Sequence, residues 1–333
     1  MPSKKFSTND LVTRIQHSDV LGLSKGITLV ESKLASDRLQ AEELLNQLLP
    51  HTGNSIRIGI TGVPGVGKST FIEAFAEYLI KIHHKKVAVL AIDPSSQQTK
   101  GSILGDKTRM EKLAANPNAF IRPSASGSSL GGVANKTRES LLLCEAAGYD
   151  ITIIETVGVG QSETMVKNMT DFFLLLMLPG AGDELQGIKR GIMEMADLLA
   201  INKTDGDVIA KANLAKGAYK NALHLLPPHK FGWVPKVTTC SSTEHIGISE
   251  IWDSINEYYN KLGKTNLQQI RKNQNTDWLN ETLQHRLLED FLLHPTVKEQ
   301  LPLLEKQVRE GLIIPSSATQ KLIQVILSGA DKQ

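Results

Sequence analysis

The chain has 333 residues, of which 41% are hydrophobic and 22% charged, and its formal net charge is +2. These values are typical of a globular protein that can bury a large core, and they exclude a highly charged or low-complexity chain. The near-neutral charge gives no electrostatic reason to expect a nucleic-acid partner.

The cysteine content and the apolar runs of the sequence indicate the cellular compartment in which the protein is expected. Cys144 and Cys240 are too far apart in sequence to form a metal-binding pattern, and so few cysteines favour a reducing compartment. The longest strongly apolar run, 172–178, is too short to cross a bilayer, and residues 1–10 lack the apolar run of a secretory signal. We therefore expect a cytoplasmic protein with no membrane partner.

Residues 1–53 are predicted to form a helical extension. Thr28 and Glu31 have the spacing of a capping box, which predicts the start of a helix. Apolar residues then recur at helical spacing until Pro50. The sequence of this segment contains no motif that indicates binding or catalysis.

Residues 54–262 alternate predicted strands and helices. Most of the strands are continuous apolar runs, which are typical of a parallel sheet covered on both faces. We therefore predict a doubly wound, mostly parallel α/β sheet, in which ligands bind beyond the carboxyl ends of the strands. The predicted strands are 56–60, 87–92, 119–122, 150–155, 171–178, 197–202 and 236–240.

A phosphate-binding loop follows the first predicted strand. Gly62, Gly67, Lys68 and Ser69 fit the pattern G-x-x-x-x-G-K-[ST]. In this pattern backbone N–H groups surround the phosphates, the lysine reaches the β- and γ-phosphates, and the serine hydroxyl binds Mg²⁺. Lys68 is thus a predicted catalytic residue. The motif also predicts that the doubly wound sheet is of the P-loop NTPase class. The predicted phosphate-binding residues are Gly62, Val63, Pro64, Gly65, Val66, Gly67, Lys68, Ser69 and Thr70.

A second motif predicts which base the nucleotide carries. Asn202, Lys203 and Asp205 form an N-K-x-D pattern directly after an apolar run. A carboxylate can accept the N1–H and N2–H₂ donors of guanine, whereas adenine would leave Asp205 desolvated and unpaired. The pattern therefore favours GTP. Weaker candidates for lining the base follow the next predicted strand: Ser241, Ser242 and Thr243.

Further polar residues follow other strands of the predicted sheet. Glu155 ends an apolar strand, where a carboxylate can hold Mg²⁺, and Gly158 can offer its N–H to a γ-phosphate. Asp93 and Asp106 are predicted to complete the metal shell, and the alternative for Asp93 is a turn residue before proline. Gln161 and Asp93 are alternative candidates for orienting the attacking water, and an arginine from a partner would imply a slow basal rate.

The C-terminal residues 263–333 have a different character. A polar segment, 264–276, precedes helical patterns, one of which places Leu279, Leu283 and Leu287 on one side of a helix that Pro295 ends. Ser317 and Gln320 form a second capping-box pattern, with Gly329 as the predicted end of that helix. The segment either packs on its own domain or forms a dimerisation arm, and we favour the arm.

Five segments occur in one order along the chain, and together they resemble one family. They are the phosphate loop, Ala91-Ile-Asp-Pro-Ser-Ser96, Gly101-Ser-Ile-Leu-Gly-Asp-Lys-Thr-Arg-Met110, Glu155-Thr-Val-Gly-Val-Gly-Gln-Ser-Glu163 and Gly182-Asp-Glu-Leu-Gln-Gly-Ile-Lys-Arg-Gly191. The sequence resembles the methylmalonyl-CoA mutase-associated GTPases over about residues 20–330. An older label for these proteins is arginine/ornithine transport kinase.

The resemblance implies a homodimeric G-protein chaperone that uses GTP to gate cofactor loading of an adenosylcobalamin-dependent acyl-CoA mutase and to protect it. It also implies that Asp106 and Glu155 serve Mg²⁺ in switch regions, and that Asp183 and Lys189 lie in a further switch. The chain lacks the D-x-H-x-x-G motif that ligates cobalamin, so it should not carry the corrinoid itself. The alternatives are a metal-delivery GTPase, which usually has a His-rich tail or paired ligands, and an ATP-dependent transport kinase, which does not need Asp205.

Overall fold

The computed structural model describes residues 6–32, 34–92, 110–123, 130–156, 162–180 and 190–330. It divides into two compact units, Met1–Asn275 and Thr276–Gln333. The division of the chain after residues 53 and 262 stays a prediction.

A parallel sheet of seven strands forms the centre of the first unit. The strands are β1 (Ile56–Gly62), β2 (Val87–Ile92), β3 (Ala119–Pro123), β4 (Ile151–Thr156), β5 (Phe172–Met177), β6 (Leu198–Ile201) and β7 (Lys236–Thr239). Their order across the sheet is β3-β2-β4-β1-β5-β6-β7, and every pairing is parallel. The doubly wound parallel fold and its strands are therefore confirmed, and the fully buried β2, β4 and β5 agree with a parallel sheet that is covered on both faces.

Helices of the first unit cover both faces of this sheet. In the described part of the chain the helices are α1 (Thr8–Gln16), α2 (Val20–Glu31), α3 (Ala35–Leu48), α4 (Lys68–His83), α5 (Glu111–Ala114), α6 (Leu130–Ala146), α7 (Ser162–Lys167), α8 (Arg190–Met195), α9 (Ile209–His224), α10 (Ile248–Leu293), α11 (Pro295–Arg309) and α12 (Pro315–Ala330). Of these, α11 and α12 belong to the second unit. Side chains alternate between the faces along each strand. Ile58 and Ile60 join a core with α4 and the start of α10, whereas Ala88 and Leu90 join one with α1, α2, α3 and α6.

The N-terminal helices correct one prediction. Thr28 does not begin a helix, because it lies near the end of α2 and its hydroxyl donates to the carbonyl of Ser24 at 2.8 Å. The side chain that caps α2 is Asp19, whose carboxylate accepts from the backbone N–H groups of Leu21 and Gly22. The S/T-x-x-E spacing is thus a coincidence of positions inside a helix.

The C-terminal helices also differ from the sequence prediction. The polar segment 264–276 is helical and belongs to α10, in which Gly263 forms a kink with φ 70°. α12 begins at Pro315, which suits the first helical position, so Ser317 is not its cap. Gly329 lies inside α12 and does not end it. The predicted break at Pro295 is confirmed, since α10 ends at Leu293 and α11 begins at Pro295.

A buried carboxylate joins several elements at the start of β6. Asp197 is 1% exposed and accepts from the Lys167 ammonium at 2.6 Å and from the backbone N–H of Phe173 at 2.8 Å. Its other oxygen lies 2.8 Å from Nδ1 of His229, and its carbonyl accepts from the indole of Trp233 at 2.9 Å. These contacts, here called the Asp197 cluster, therefore hold the last residue of α7, the start of β5 and the segment before β7 together around one buried carboxylate.

Candidate functional site

The phosphate loop connects the end of β1 to the start of α4. Gly62 ends β1 at a point where a Cβ atom would lie 2.5 Å from the carbonyl oxygen of Leu176, so only glycine fits there. Gly65 and Gly67 have φ values of 75° and 87°, which L side chains rarely adopt. The glycines of the motif are thus required by the backbone itself, before any ligand is considered.

The loop leads directly into α4, so the N-terminus of this helix lies at the site. Among the described residues, no side chain caps this N-terminus, so its first backbone N–H groups are available to an anion. The ammonium of Lys68 donates to the carbonyl of Gly62 at 3.0 Å, across the loop. Burial lowers the pKa of Lys68, and the negative charges of Glu155 and Glu163 offset part of that shift. A positive helix end and a half-buried lysine therefore meet at one place, as a phosphate chain requires.

The N-K-x-D segment is joined directly to the phosphate loop. The Asn202 amide donates to the carbonyl of Val66 at 2.9 Å, and the Lys203 ammonium donates to the carbonyl of Gly65 at 2.8 Å. The hydroxyl and backbone N–H of Ser242 in turn donate to Oδ1 of Asn202, at 2.8 and 3.2 Å. Three segments that are far apart in sequence are thus brought together by the buried hydrogen bonds of Asn202 and by the exposed one of Lys203.

Asp205 is held by the segment after β7. The hydroxyl of Ser241 donates to Oδ1 of Asp205 at 2.8 Å and lies 3.1 Å from the hydroxyl of Thr243. The Asp205 side chain does not cap the short 3₁₀ turn that follows it, Gly206–Val208. Its carboxylate is therefore oriented by Ser241 and not used by its own backbone, as a group that recognises a base requires.

Two oxygen ligands lie together beside the phosphate loop. The hydroxyl of Ser69 donates to Oε1 of Glu155 at 3.4 Å, and Glu155 is 3% exposed at the end of β4, paired in register with Ile60. Mg²⁺ prefers hard oxygen ligands and is usually held by one or two carboxylates plus phosphates and water. The Ser69–Glu155 pair fits this ion.

Six of the predicted site residues lie outside the described residues, so their placement stays a prediction. They are Asp93, Asp106, Gly158, Gln161, Asp183 and Lys189.

Two residues near the site were missed in the sequence. Thr204, the variable position of N-K-x-D, donates through its N–H (3.2 Å) and its hydroxyl (3.0 Å) to the carbonyl of Cys240. Glu163, at the start of α7, is 2% exposed and acts electrostatically on Lys68. A hydrophilic residue at the start of a short helix gives no sequence signal for burial, so only the fold could identify Glu163.

The rest of the described chain adds one observation on membranes. Within the described ranges, no helix combines the length and the apolarity that crossing a bilayer requires.

Comparisons with known proteins agree with this geometry. The family model described as "Methylmalonyl Co-A mutase-associated GTPase MeaB" matches residues 23–296. A "Putative GTPase" of Caulobacter vibrioides is 50% identical over 95% of this chain and 96% of its own length. The "Methylmalonic aciduria type A homolog, mitochondrial" of Mus musculus is 45% identical over 92% of this chain and 76% of its own length.

A solved structure extends the similarity to three dimensions. The protein titled "Crystal structure of LAO/AO transport system kinase" is 37% identical, with a TM-score of 0.76 over 96% of this chain and 98% of its own. The fold, the nucleotide pocket and relatives named as GTPases lead to the same conclusion. The chain is a GTPase and belongs to the MeaB family of methylmalonyl-CoA mutase-associated GTPases.

Proposed function

We propose that this GTPase is a chaperone of an adenosylcobalamin-dependent acyl-CoA mutase of the methylmalonyl-CoA mutase type. In this role it gates the loading of the cofactor and protects the mutase from inactivation. The observation that carries the proposal is the match of the mutase-associated family model to residues 23–296. Relatives named for methylmalonic aciduria support it.

In the proposed reaction, the chain binds GTP with its phosphates on the loop 62–70 and its guanine on Asp205. Ser69 and Glu155 would hold Mg²⁺, with Asp93 and Asp106 as further ligands, and the ion would supply positive charge beside the phosphates. Lys68 stabilises the charge that develops on the γ-phosphate.

The mutase is proposed to regulate this reaction. Gln161 or Asp93 orients the attacking water, and a group from the partner completes the site, so the basal rate is slow. Gly158 contacts the γ-phosphate, and the segment with Asp183 and Lys189 changes its arrangement with the state of the nucleotide. This is the type of order change that γ-phosphate loss produces in other GTPases.

We further propose that residues 263–333 form a homodimerisation arm. In the second unit, α11 and α12 pack through Val297, Leu304 and Ala318. Leu279, Leu283 and Leu287 recur every fourth residue at the end of α10 and are 54 to 67% exposed. A stripe of this kind is typical of a helix that packs against another chain.

The mutase proposal is tested with the purified full-length chain and an adenosylcobalamin-dependent methylmalonyl-CoA mutase. We expect the mutase to raise the rate of GTP hydrolysis at least about tenfold, because a group supplied in trans would complete the catalytic site. We also expect co-elution in size-exclusion chromatography with a non-hydrolysable GTP analogue. The Lys68→Ala variant is the control for contaminating GTPases, since it should hydrolyse no GTP with or without the mutase.

Cofactor gating is read from the visible absorbance of adenosylcobalamin as it enters the apo-mutase. Entry that depends on GTP and on the chaperone supports the proposal. A hydrolysis rate that the mutase leaves unchanged, together with separate elution, would contradict it, while intact GTP hydrolysis would leave the family assignment standing.

A further inference from the structure

The side-chain amide of Asn202 lies between the phosphate loop and the segment that follows β7. Its Nδ2 donates to the carbonyl of Val66 at 2.9 Å, and its Oδ1 accepts from the backbone N–H of Ser242 at 3.2 Å. A carbonyl can only accept and a backbone N–H can only donate, so these two contacts determine the orientation of the amide. The hydroxyl of Ser242, which lies 2.8 Å from the same Oδ1, is therefore the donor in that hydrogen bond.

The amide of Asn202 also lies against the backbone of Gly67. A Cβ atom at this position would lie 3.2 Å from Nδ2 of Asn202, and Gly67 has a φ of 87°. Gly67 is the N-cap residue of α4, whose first backbone N–H groups are the ones available to an anion. Asn202 therefore contacts two successive loop residues, Val66 and Gly67, directly before the helix end that would bind phosphates.

Three donors surround Oδ1 of Asn202, and the Ser242 hydroxyl makes the shortest contact. Asn202, Ser242 and Cys240 are all at most 5% exposed, so water does not compete for these hydrogen bonds. The thiol of Cys240 lies 3.6 Å from Oδ1, and burial raises its pKa to about 12, so it stays protonated as a weak donor. Loss of the Ser242 hydroxyl would leave Oδ1 with the longer N–H contact and the thiol.

We propose that the hydroxyl of Ser242 is a positioning group for the phosphate end of the nucleotide. Through Asn202 it holds Val66 and Gly67 in the conformation that binds phosphates, and it thereby slows nucleotide release. The sequence suggested Ser242 for lining the base, whereas its hydroxyl acts on the other end of the ligand. Ser242 acts through Asn202 and is not a catalytic residue. The inference rests on the proposed placement of the phosphates on the loop 62–70.

The test compares Ser242→Ala with Ser254→Ala in the full-length chain. Ser254 donates its hydroxyl to the carbonyl of Glu250 within α10, so its variant loses the same group away from the site. We measure the release of a fluorescently labelled GDP by stopped flow, and the binding of inorganic tripolyphosphate, which has no base, by competition with that GDP. Ser242→Ala should release GDP about fivefold faster and bind tripolyphosphate about fivefold more weakly, as expected for one net hydrogen bond. Ser254→Ala should match wild type in both measurements.

The two probes separate an effect on the phosphate loop from an effect on the base. Faster GDP release with unchanged tripolyphosphate binding would place the action of the hydroxyl at the base and overturn the inference. Unchanged GDP release would overturn it too, even with a lowered thermal midpoint.

A double variant tests whether the hydroxyl acts through Asn202. Added to Asn202→Ala, Ser242→Ala should change GDP release by less than about twofold, because the group that transmits its effect is already absent. Fully additive effects of the two substitutions would contradict the inference. Lys68→Ala that binds tripolyphosphate as tightly as wild type would overturn the proposed placement of the phosphates instead.

Discussion

At the scale of single residues, Asp205 occupies the position where purines can be distinguished. One of its carboxylate oxygens accepts from Ser241, and Asn202 beside it is bonded to the phosphate loop. A carboxylate held in this way can accept both edge donors of guanine without losing further rotational freedom. Selectivity in the proposed pocket therefore depends on one acceptor group in a fixed orientation.

The first prediction concerns a variant in which the carboxylate of Asp205 is replaced by an amide. Asp205→Asn puts an amide donor where guanine also donates, so GTP affinity should fall at least a hundredfold, consistent with the strong rejection that unpaired buried polar groups cause. Xanthosine triphosphate carries an acceptor at that edge and should lose far less. Isothermal titration with both nucleotides measures the difference. Equal losses for the two nucleotides would contradict the assignment of the base site.

The site residues that could be predicted from the sequence are those that belong to a motif with a fixed spacing of residue types. Gly62, Lys68 and Asp205 stand in patterns whose geometry requires those residue types. Glu163 lies in one of the segments that carry the resemblance, but no spacing rule gives it a role, because its burial and its effect on Lys68 arise only in the folded chain. A single sequence does not show such contacts.

At the scale of elements, the Asp197 cluster connects the ends of helices and strands that lie apart in sequence. Lys167 ends α7, and Nε2 of His229 lies 3.0 Å from the carbonyl of Glu194 in α8. Burial alone would raise the pKa of Asp197, but Lys167 and His229 outweigh it and hold the pKa below its ordinary value of 3.8. The ionised form of Asp197 is thus favoured by the fold.

The second prediction concerns stability and its dependence on pH. Asp197→Asn leaves Lys167 without its buried partner and should lower the free energy of unfolding by about 3–5 kcal/mol at pH 7. Since the folded pKa is depressed, the ionised carboxylate stabilises the fold above its ordinary pKa of 3.8, and this contribution is lost as the pH falls through the folded pKa. The difference in the free energy of unfolding between wild type and variant should therefore narrow below about pH 4.

Urea unfolding at several pH values measures this difference in the free energy of unfolding. The control is Glu257→Gln, which removes an exposed ion pair with Lys236 and should cost less than about 1 kcal/mol. If the difference in the free energy of unfolding stayed the same down to the lowest pH measured, the charge of the Asp197 carboxylate would not stabilise the fold.

The elements themselves were predicted unevenly. All seven strands were predictable because apolar runs between helical segments leave few alternatives. Helix ends were not: the spacing of Thr28 and Glu31, like that of Ser317 and Gln320, also occurs within helices. A capping box stabilises an end only where the backbone turns, and that turn is set by tertiary packing.

At the scale of the whole molecule, the chain consists of a nucleotide-binding unit and a smaller helical unit, 276–333. The exposed stripe of Leu279, Leu283 and Leu287 belongs to the second unit. Its exposure in a single chain is expected if a second copy covers it.

The third prediction tests that assembly. Leu283→Glu combined with Leu287→Glu should convert a dimer to a monomer, because two charges would have to be buried in the interface. Each leucine is more than half exposed in the single chain, so the monomer should keep its thermal midpoint and its basal GTP hydrolysis. Analytical ultracentrifugation measures the mass. Leu214→Glu is the control, since Leu214 is 77% exposed on α9, outside the stripe. A variant that remains dimeric would contradict the proposed arm.

The hydrogen bonds from Asn202 and Lys203 to the loop at Val66 and Gly65 have one more consequence. They join protein groups to each other, so the distance between the place for a base and the place for phosphates is set before any ligand arrives. In the proposed complex with GTP, the ribose spans that distance. Analogues with a longer or shorter linker between base and first phosphate should therefore bind by one end only.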